Sequence, residues 1–354
     1  MISDIRLQHF RSYSDEAFEF SPSVNIIVGP NASGKTNLLE AVLVTARGSS
    51  YRVRDSELVE YEQPWARLDS NVEIAGQSSV RTVKIINQPQ PSKNYEIEGR
   101  LYRRLLAAKM LPVVIFEPNH LFMLTGSPDL RRSYLDDLLE QIDPRYGPLR
   151  KDYRRVLAQR NALLKQRGLQ AAEQIFPWNV RLSELGGQIA GQRIRLLADM
   201  NQTTSELYSS LAHKSSRVSL RYETKFQVES YGSALLRSLE VNFGLDVARG
   251  FTAAGPHRED ITVLINGRTA LTSASRGEAR TAVLMLKVME LKLIEQSRAV
   301  RPLLLLDDVF SELDGARRRA LTGYLQDYQT FITTTDADVV VAHFMEECRI
   351  IPLG

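Results

Sequence analysis

Residues 24–43 read VNIIVGPNASGKTNLLEAVL. Val24–Val28 has the length and apolarity of a buried strand, and the segment from Asn37 onward has the apolar spacing of an amphipathic helix. Between them, Gly29, Pro30, Asn31, Ala32, Ser33, Gly34, Lys35 and Thr36 fit the pattern G-x-x-x-x-G-K-[ST]. Glycines let backbone N–H groups point inward around phosphate oxygens, and the helix start adds the positive end of its dipole. Lys35 would reach the β- and γ-phosphates, and the Thr36 hydroxyl would ligate Mg²⁺. A tight strand-to-helix turn can match the pattern by chance, but both flanks would then be coincidental.

A phosphate loop needs a second group on the metal side, because Mg²⁺ prefers one or two carboxylates with water and phosphate oxygens. Residues 302–308, PLLLLDD, read as a buried strand ending in two acids. Asp307 would hold Mg²⁺ through water, and Asp308 stands where a group orients or deprotonates the attacking water. Paired acids also cap strand ends, but the upstream loop gives them a use. The joint reading is a chain that binds a nucleoside triphosphate with Mg²⁺, with Lys35 and Asp308 as its catalytic candidates.

Around these motifs the texture changes twice. Before Gly126, runs such as IRLQHF, NVEIAG and RTVKII read as strands, and NQPQPSKN (87–94) reads as a hairpin tip. From Leu130 to about Leu211 the chain reads as helical. There, Leu149, Tyr153, Val156, Leu157, Leu163 and Leu164 share one face, and Leu182, Leu185, Ile189, Leu196 and Met200 follow at spacings of 3, 4, 7 and 4. With Gly168 and Pro177 between the segments, an antiparallel helical hairpin or short coiled coil is expected. Strands return after Arg217, and Asn266-Gly267 signals a two-residue hairpin. The last hundred residues alternate helices with Leu-rich strands, the pattern of a parallel sheet. The class expected is α/β. An ATPase domain of mixed antiparallel and parallel sheets is built from 1–126 and 250–354, with a mainly helical insertion at 127–249.

Bulk properties agree. The 354 residues suffice for such an insertion, and 43% apolar with 25% charged residues is ordinary for a globular protein. A net charge of +3 means any nucleic-acid footprint must be local. Cys348 is the single cysteine, which excludes a disulfide framework within one chain. The N-terminal stretch carries Asp4 and Arg6 where a signal peptide is apolar, and no apolar run reaches the roughly 20 residues that span a bilayer. A cytoplasmic protein without a membrane partner is expected.

Two further stretches narrow the class. SASRGEAR (273–280) opens a helix before the acidic strand, and SELD (311–314) follows it. Loop, Ser-x-Gly, acidic strand and Ser-x-Leu-Asp in that order resemble the ATP-binding-cassette (ABC-type) ATPases. That resemblance implies that Ser275, Arg276 and Gly277 of one protomer close on the γ-phosphate held by another, with Asp314 at the same nucleotide. A helix N-cap followed by an acidic first turn predicts similar letters. Within that class, LQHFRSY (7–13), GPNASGKTNLLEA (29–41), EPNHLFMLTGSPDLRRSYLD (117–136), RNALLK (160–165), GPHRED (255–260), SRGEAR (275–280) and LLLLDDVFSELD (303–314) resemble the RecF family, recombination mediators related to Rad50 and the SMC proteins.

The family resemblance implies an ATP-dependent homodimer that binds DNA at gaps or single/double-strand junctions, independently of sequence. It implies cooperation with RecR and RecO, help in loading RecA, and weak DNA-stimulated ATP hydrolysis. The chain departs from the wider class at several positions. Glu278 stands where Gln is frequent, Arg276 where transporters have Gly, and Asp308 is one methylene shorter than the usual Glu. Thr335 stands near the position of the switch histidine, and Glu117 is the polar residue after LPVVIF. Together these departures suggest slow hydrolysis.

For DNA, RKDYRRVLAQRNALLKQR (150–167) carries seven basic residues against one acid, Asp152. The stripe is either a phosphate footprint or a solvated helix face. Arg103, Arg104, Lys109, Arg131 and Arg132 are further candidates, while Arg317, Arg318 and Arg319 read better as a helix face. His257, with no second His or Cys nearby, reads as structural or nucleotide-linked rather than metal-binding. The rival readings are a transporter's nucleotide-binding subunit, a Rad50/SMC-like tethering protein, and a P-loop enzyme with an added metal-binding domain.

Overall fold

The computed structural model describes residues 1–74, 76–167, 172–336, 340 and 348–354. The chain divides into one unit of Met1–Leu121 with Val283–Gly354 and another of Phe122–Ala282. The first begins with β1 (Ile2–Phe10), β2 (Tyr13–Glu19), β3 (Val24–Val28), α1 (Lys35–Arg47), β4 (Trp65–Ile74), β5 (Gln77–Ile86), β6 (Ser92–Ile97), β7 (Arg100–Tyr102) and β8 (Val113–Phe116). The second holds α2 (Pro128–Ile142), α3 (Tyr146–Arg167), α4 (Ala172–Asn201), α5 (Thr204–Ala212), β9 (Val218–Glu223), α6 (Tyr231–Val241), α7 (Phe243–Arg249), β10 (Asp260–Ile265), β11 (Arg268–Thr269) and α8 (Ala270–Ser273). The division falls inside α9 (Arg276–Arg298). After it come β12 (Leu303–Asp307), α10 (Val309–Glu312), α11 (Gly315–Leu325), β13 (Thr330–Thr334) and β14 (Cys348–Pro352).

The first unit contains a six-stranded antiparallel sheet, β2-β1-β4-β5-β6-β7, and a five-stranded parallel one, β14-β3-β13-β12-β8. Helix α1 buries residues on every side, from Leu38 to Ala46 without interruption. A helix buried all round has no solvent face, and its Glu40 is buried with the apolar residues. Its Leu38, Leu39 and Val42 share a core with Leu7 and Leu68 of the antiparallel sheet and with Leu305 and Phe331 of the parallel one. The apolar strands β3, β12 and β13 are covered in the same way, as parallel strands must be.

In the second unit α3 and α4 form the expected antiparallel hairpin. Arg160 Nε donates to Asn179 Oδ1 at 2.7 Å, and seven residues earlier on α3 Tyr153 lies against Gly186, seven later on α4. Pro177 does not separate the two helices but sits inside α4, while Gly168 lies outside the described residues. The second boundary also comes later than 250. Strand β10 pairs antiparallel with β9 over Ile261–Tyr222 to Ile265–Val218, so residues 250–282 belong with the helices. Asn266 and Gly267, at φ 51° and 78°, make the tight turn from β10 to β11.

Candidate nucleotide site

The order of the parallel sheet sets the C-terminal ends of β3, β13 and β12 side by side, where α/β sheets place their ligands. Strand β3 delivers the phosphate loop, β12 the paired acids, and β13, lying between them, delivers Thr333. Thr36 Oγ1 donates to Asp307 Oδ1 at 3.0 Å, and Thr333 Oγ1 donates to the same oxygen at 2.8 Å. Thr333 Oγ1 in turn accepts the Asp308 N–H at 2.9 Å. This holds Asp308 at φ 52°, a left-handed conformation that costs a side-chain-bearing residue roughly 1 kcal/mol. Thr333 was not among the residues singled out from the sequence, although a buried threonine in the strand TFITT was its signal. Thr335 is exposed and takes no part in these bonds.

Burial pushes the Asp308 carboxyl up, Lys35 opposes, and Asp307 adds to the rise. The Glu117 carboxyl is raised by burial and then by Asp307, against Arg52 and Lys287, so Glu117 lies within electrostatic reach of the acids.

The loop is built around absent side chains. A Cβ on Gly29 would lie 2.4 Å from Leu353 O and 2.5 Å from Ser33 Oγ. Gly34, at φ 95°, would set one 2.9 Å from the Tyr13 hydroxyl. That hydroxyl donates to Gly34 O at 3.0 Å, and Asn37 Nδ2 donates to Ser12 Oγ at 3.0 Å. Arg11 Nε donates at 2.7 Å to Glu40, a fully buried residue of α1. The LQHFRSY stretch therefore clamps the loop's helix. Lys35 Nζ donates to Gly29 O at 2.9 Å and to Pro30 O at 2.8 Å, leaving one of its three hydrogens.

Among the described residues, Ser33 Oγ is buried without a hydrogen-bond partner. A glycine cradle, an orphaned hydroxyl and a spare ammonium hydrogen fit phosphate oxygens. The Thr36 hydroxyl and Asp307 carboxylate suit a hard divalent cation. No three His, Cys, Asp or Glu residues converge among the described residues. Beside the start of α1, a cavity of about 590 Å³ is lined by Arg11, Ser12, Asn37, Val59, Tyr61 and Gln63, among others.

Ser275, Arg276 and Gly277 fall in the other unit. Ser275 and Arg276 are exposed at the start of α9. Ser275 donates its N–H and its hydroxyl to Glu278 Oε2, each at 2.9 Å, and its Oγ accepts the Glu278 N–H at 3.2 Å. This is a capping box, and these bonds hold the Glu278 carboxyl below its usual range. Asp314 caps α11 by accepting Arg317 N–H at 2.9 Å.

Four of the candidate DNA contacts are committed elsewhere. Arg131 donates to both oxygens of Asp260, and Arg132 to Glu259 O and Asp129. Arg150 pairs with Asp137 and Glu140, and Arg160 is fully buried. Lys151, Arg154, Arg155 and Lys165 remain exposed on α3, as do Arg103, Arg104 and Arg319 elsewhere.

His257 is structural. Its Nδ1 accepts the Tyr153 hydroxyl at 2.6 Å, and Nε2–H donates to Thr252 O at 3.1 Å. Burial lowers its pKa from 6.5 to about 4, so it stays neutral in the fold while the unfolded chain takes up a proton below 6.5. Stability is then complete above pH 6.5 and falls by up to ~3 kcal/mol as pH drops towards 4. Urea midpoints for wild type and His257→Gln, taken from about pH 7 to about pH 4, check this. The variant is expected to lose much of the acid sensitivity, and identical pH slopes would contradict the assignment.

The fold and this site define the class, an ABC-type ATPase head. The model of the RecF/RecN/SMC N-terminal domain family matches residues 1–350. The DNA replication and repair protein RecF of Heliobacterium modesticaldum is 35% identical over 344 residues, 94% of this chain and 92% of its own. That of a Synechococcus species is 34% identical over 98% of this chain and 94% of its own. The chain belongs to the RecF family. Among solved structures, the recombination mediator protein RecF-ATPrS in the RecFOR pathway superposes with a TM-score of 0.88 at 29% identity, covering 99% of this chain and 96% of that one. An Smc head bound to the C-winged helix domain of ScpA shares the fold, with a TM-score of 0.59 at 18% identity over 99% and 93% of the two chains. Among the described residues no helix is long and apolar enough to cross a membrane.

Proposed function

We propose that the chain is an ATP-switched, DNA-binding protein of recombinational repair. The observation that carries this reading is the meeting of Thr36, Asp307 and Thr333 beside a loop whose Ser33 hydroxyl lacks a partner. The backbone of Gly29–Gly34 and the Ser33 hydroxyl hold the phosphates, with Lys35 on the β- and γ-oxygens. The cavity beside α1 takes the adenosine. Thr36 and Asp307 hold Mg²⁺, which when bound neutralises charge on the phosphate oxygens. Asp308 orients the attacking water and takes its proton. Its short side chain favours slow hydrolysis, suited to resetting a complex rather than driving a pump.

Ser275, Arg276 and Gly277 of a second copy close on the γ-phosphate, with Asp314 at the same nucleotide. To reach the Ser275 donors, that phosphate displaces the Glu278 carboxylate. Contacts made only before hydrolysis shift the dimer equilibrium by their differential free energy. The dimer binds DNA at gaps or junctions through exposed cations such as Lys151, Arg154 and Arg155, with affinity that falls steeply with salt. The RecFOR pathway of the relatives supports RecO and RecR as partners. In this reading RecA is loaded downstream.

Light scattering with ADP and with ATP, with and without gapped DNA, tests the switch. Dimer mass is expected with ATP and is stabilised by DNA, and a monomer under every condition would overturn the mechanism. Ser275→Ala is expected to bind ATP but remain monomeric. Dimerisation of that variant at wild-type ATP concentrations would remove Ser275 from the partner's site.

A further inference from the structure

The unit Phe122–Ala282 contains a cavity of about 510 Å³ between the end of β9, helices α6 and α7, and the loop carrying GPHRED. Its charges are unevenly matched. Of the acids that line it, Glu223 is paired with Arg221, Asp246 with Arg160 and Asp260 with Arg131. Glu259 Oε1 accepts two hydroxyls, Thr224 at 2.6 Å and Tyr231 at 2.9 Å. Lys225, Arg249 and Arg258 line the same cavity and are exposed. Among the described residues none of the three is ion-paired with a carboxylate. Three cations against the one acid without a cationic partner leave the cavity net positive.

Part of its wall is apolar. Phe226 is fixed by an edge-on contact with Tyr231, with ring centroids 5.2 Å apart, and Leu245, Ala253 and Ala254 line the cavity with it. The Arg258 guanidinium lies 4.6 Å over the Phe251 ring, and among the described residues its hydrogen bond goes from Nε to Thr252 O. A guanidinium held by a ring keeps its fork for a phosphate. Aromatic walls take nucleobases without reading their sequence. An acidic peptide would find the charge, but a concave site of this volume with an aromatic side chain in its lining suits one small molecule.

We propose that this cavity binds one nucleotide, its phosphate held by Lys225, Arg249 and Arg258 and its base against Phe226. The nucleotide is either free or the phosphorylated end of a DNA strand at a gap. The second case deepens the DNA-binding reading above and rests on it.

The test uses the full chain and two probes. One is thymidine 5′-monophosphate, and the other is a gapped duplex with either a 5′-phosphate or a 5′-hydroxyl at the gap. Wild type is expected either to prefer the phosphorylated gap by roughly tenfold or more, which assigns DNA as the source, or to bind the monophosphate saturably, which assigns a free nucleotide. The triple variant Lys225→Gln, Arg249→Gln, Arg258→Gln is expected to lose that preference or binding. It should still form ATP-dependent dimers and bind the hydroxylated gap. Indifference of the wild type to the 5′-phosphate together with no monophosphate binding would overturn the proposal, as would a triple variant that behaves like wild type. Failure of the DNA reading is separate: it would appear as no wild-type binding to the hydroxylated gap.

Discussion

Lys35→Ala is expected to weaken ATP binding by roughly ten- to hundredfold, measured by titration calorimetry with Mg²⁺ present. The ammonium is almost fully enclosed and spends two hydrogens on Gly29 O and Pro30 O. Its third hydrogen and its charge are what a polyphosphate would meet. The alanine variant removes that contact and also leaves two loop carbonyls without their donor. Lys35→Arg is not expected to rescue binding, because a planar fork cannot cap two carbonyls and reach a phosphate as a compact ammonium does. The fold should survive, since the loop is also tied by Tyr13 to Gly34 O. An alanine variant within twofold of wild type in ATP affinity would remove Lys35 from the site.

The second large effect lies far from the loop in sequence. Arg160→Met should destabilise the helical unit by about 3–5 kcal/mol, because it leaves Asp246 buried and uncompensated. The guanidinium is wholly buried and donates to Asn179, Asp246 and Thr252, with Asp246 only 1% exposed. Urea unfolding followed by far-ultraviolet circular dichroism reads the loss. Adding Asp246→Asn to the methionine variant should recover part of it, since no unpaired charge then remains. A loss below about 1 kcal/mol would mean the pair is dispensable.

That arginine also shows where sequence reading ran out. Strand, loop, helix and acidic strand were legible from periodicity and motif, and the phosphate loop and paired acids meet as their chemistry requires. The helical hairpin was legible too, but its seam was misjudged. Tyr153, Val156 and Leu164 are buried with Arg160 between them, and Arg193 fills the seven-residue gap between Ile189 and Leu196. Arg193 reaches Asp136, Tyr222 and the Pro256 carbonyl, partners brought by distant segments. A periodicity argument counts an arginine as surface because one isolated helix offers it nothing but water. The same blindness promoted Arg131, Arg132 and Arg150 to DNA contacts and passed over Thr333, whose role exists only once three strands are aligned. The later domain boundary was hidden as well, since only the pairing of β9 with β10 draws residues 250–282 to the helices.

The strand that ends in the phosphate loop has both its neighbours at the far end of the chain. Strand β3 pairs with β13 and β14, and Leu353 donates its N–H to Val28 O while its carbonyl crowds Gly29. From Val28 to Cys348 is 320 residues by subtraction. At ribosomal speeds of about 5–20 residues per second, the loop's strand waits roughly 16–64 s for its second edge. During that time the nascent polypeptide has the letters of an ATP site but not its walls. Chains broken off in translation before Cys348 would therefore leave one edge of the loop's strand unpaired.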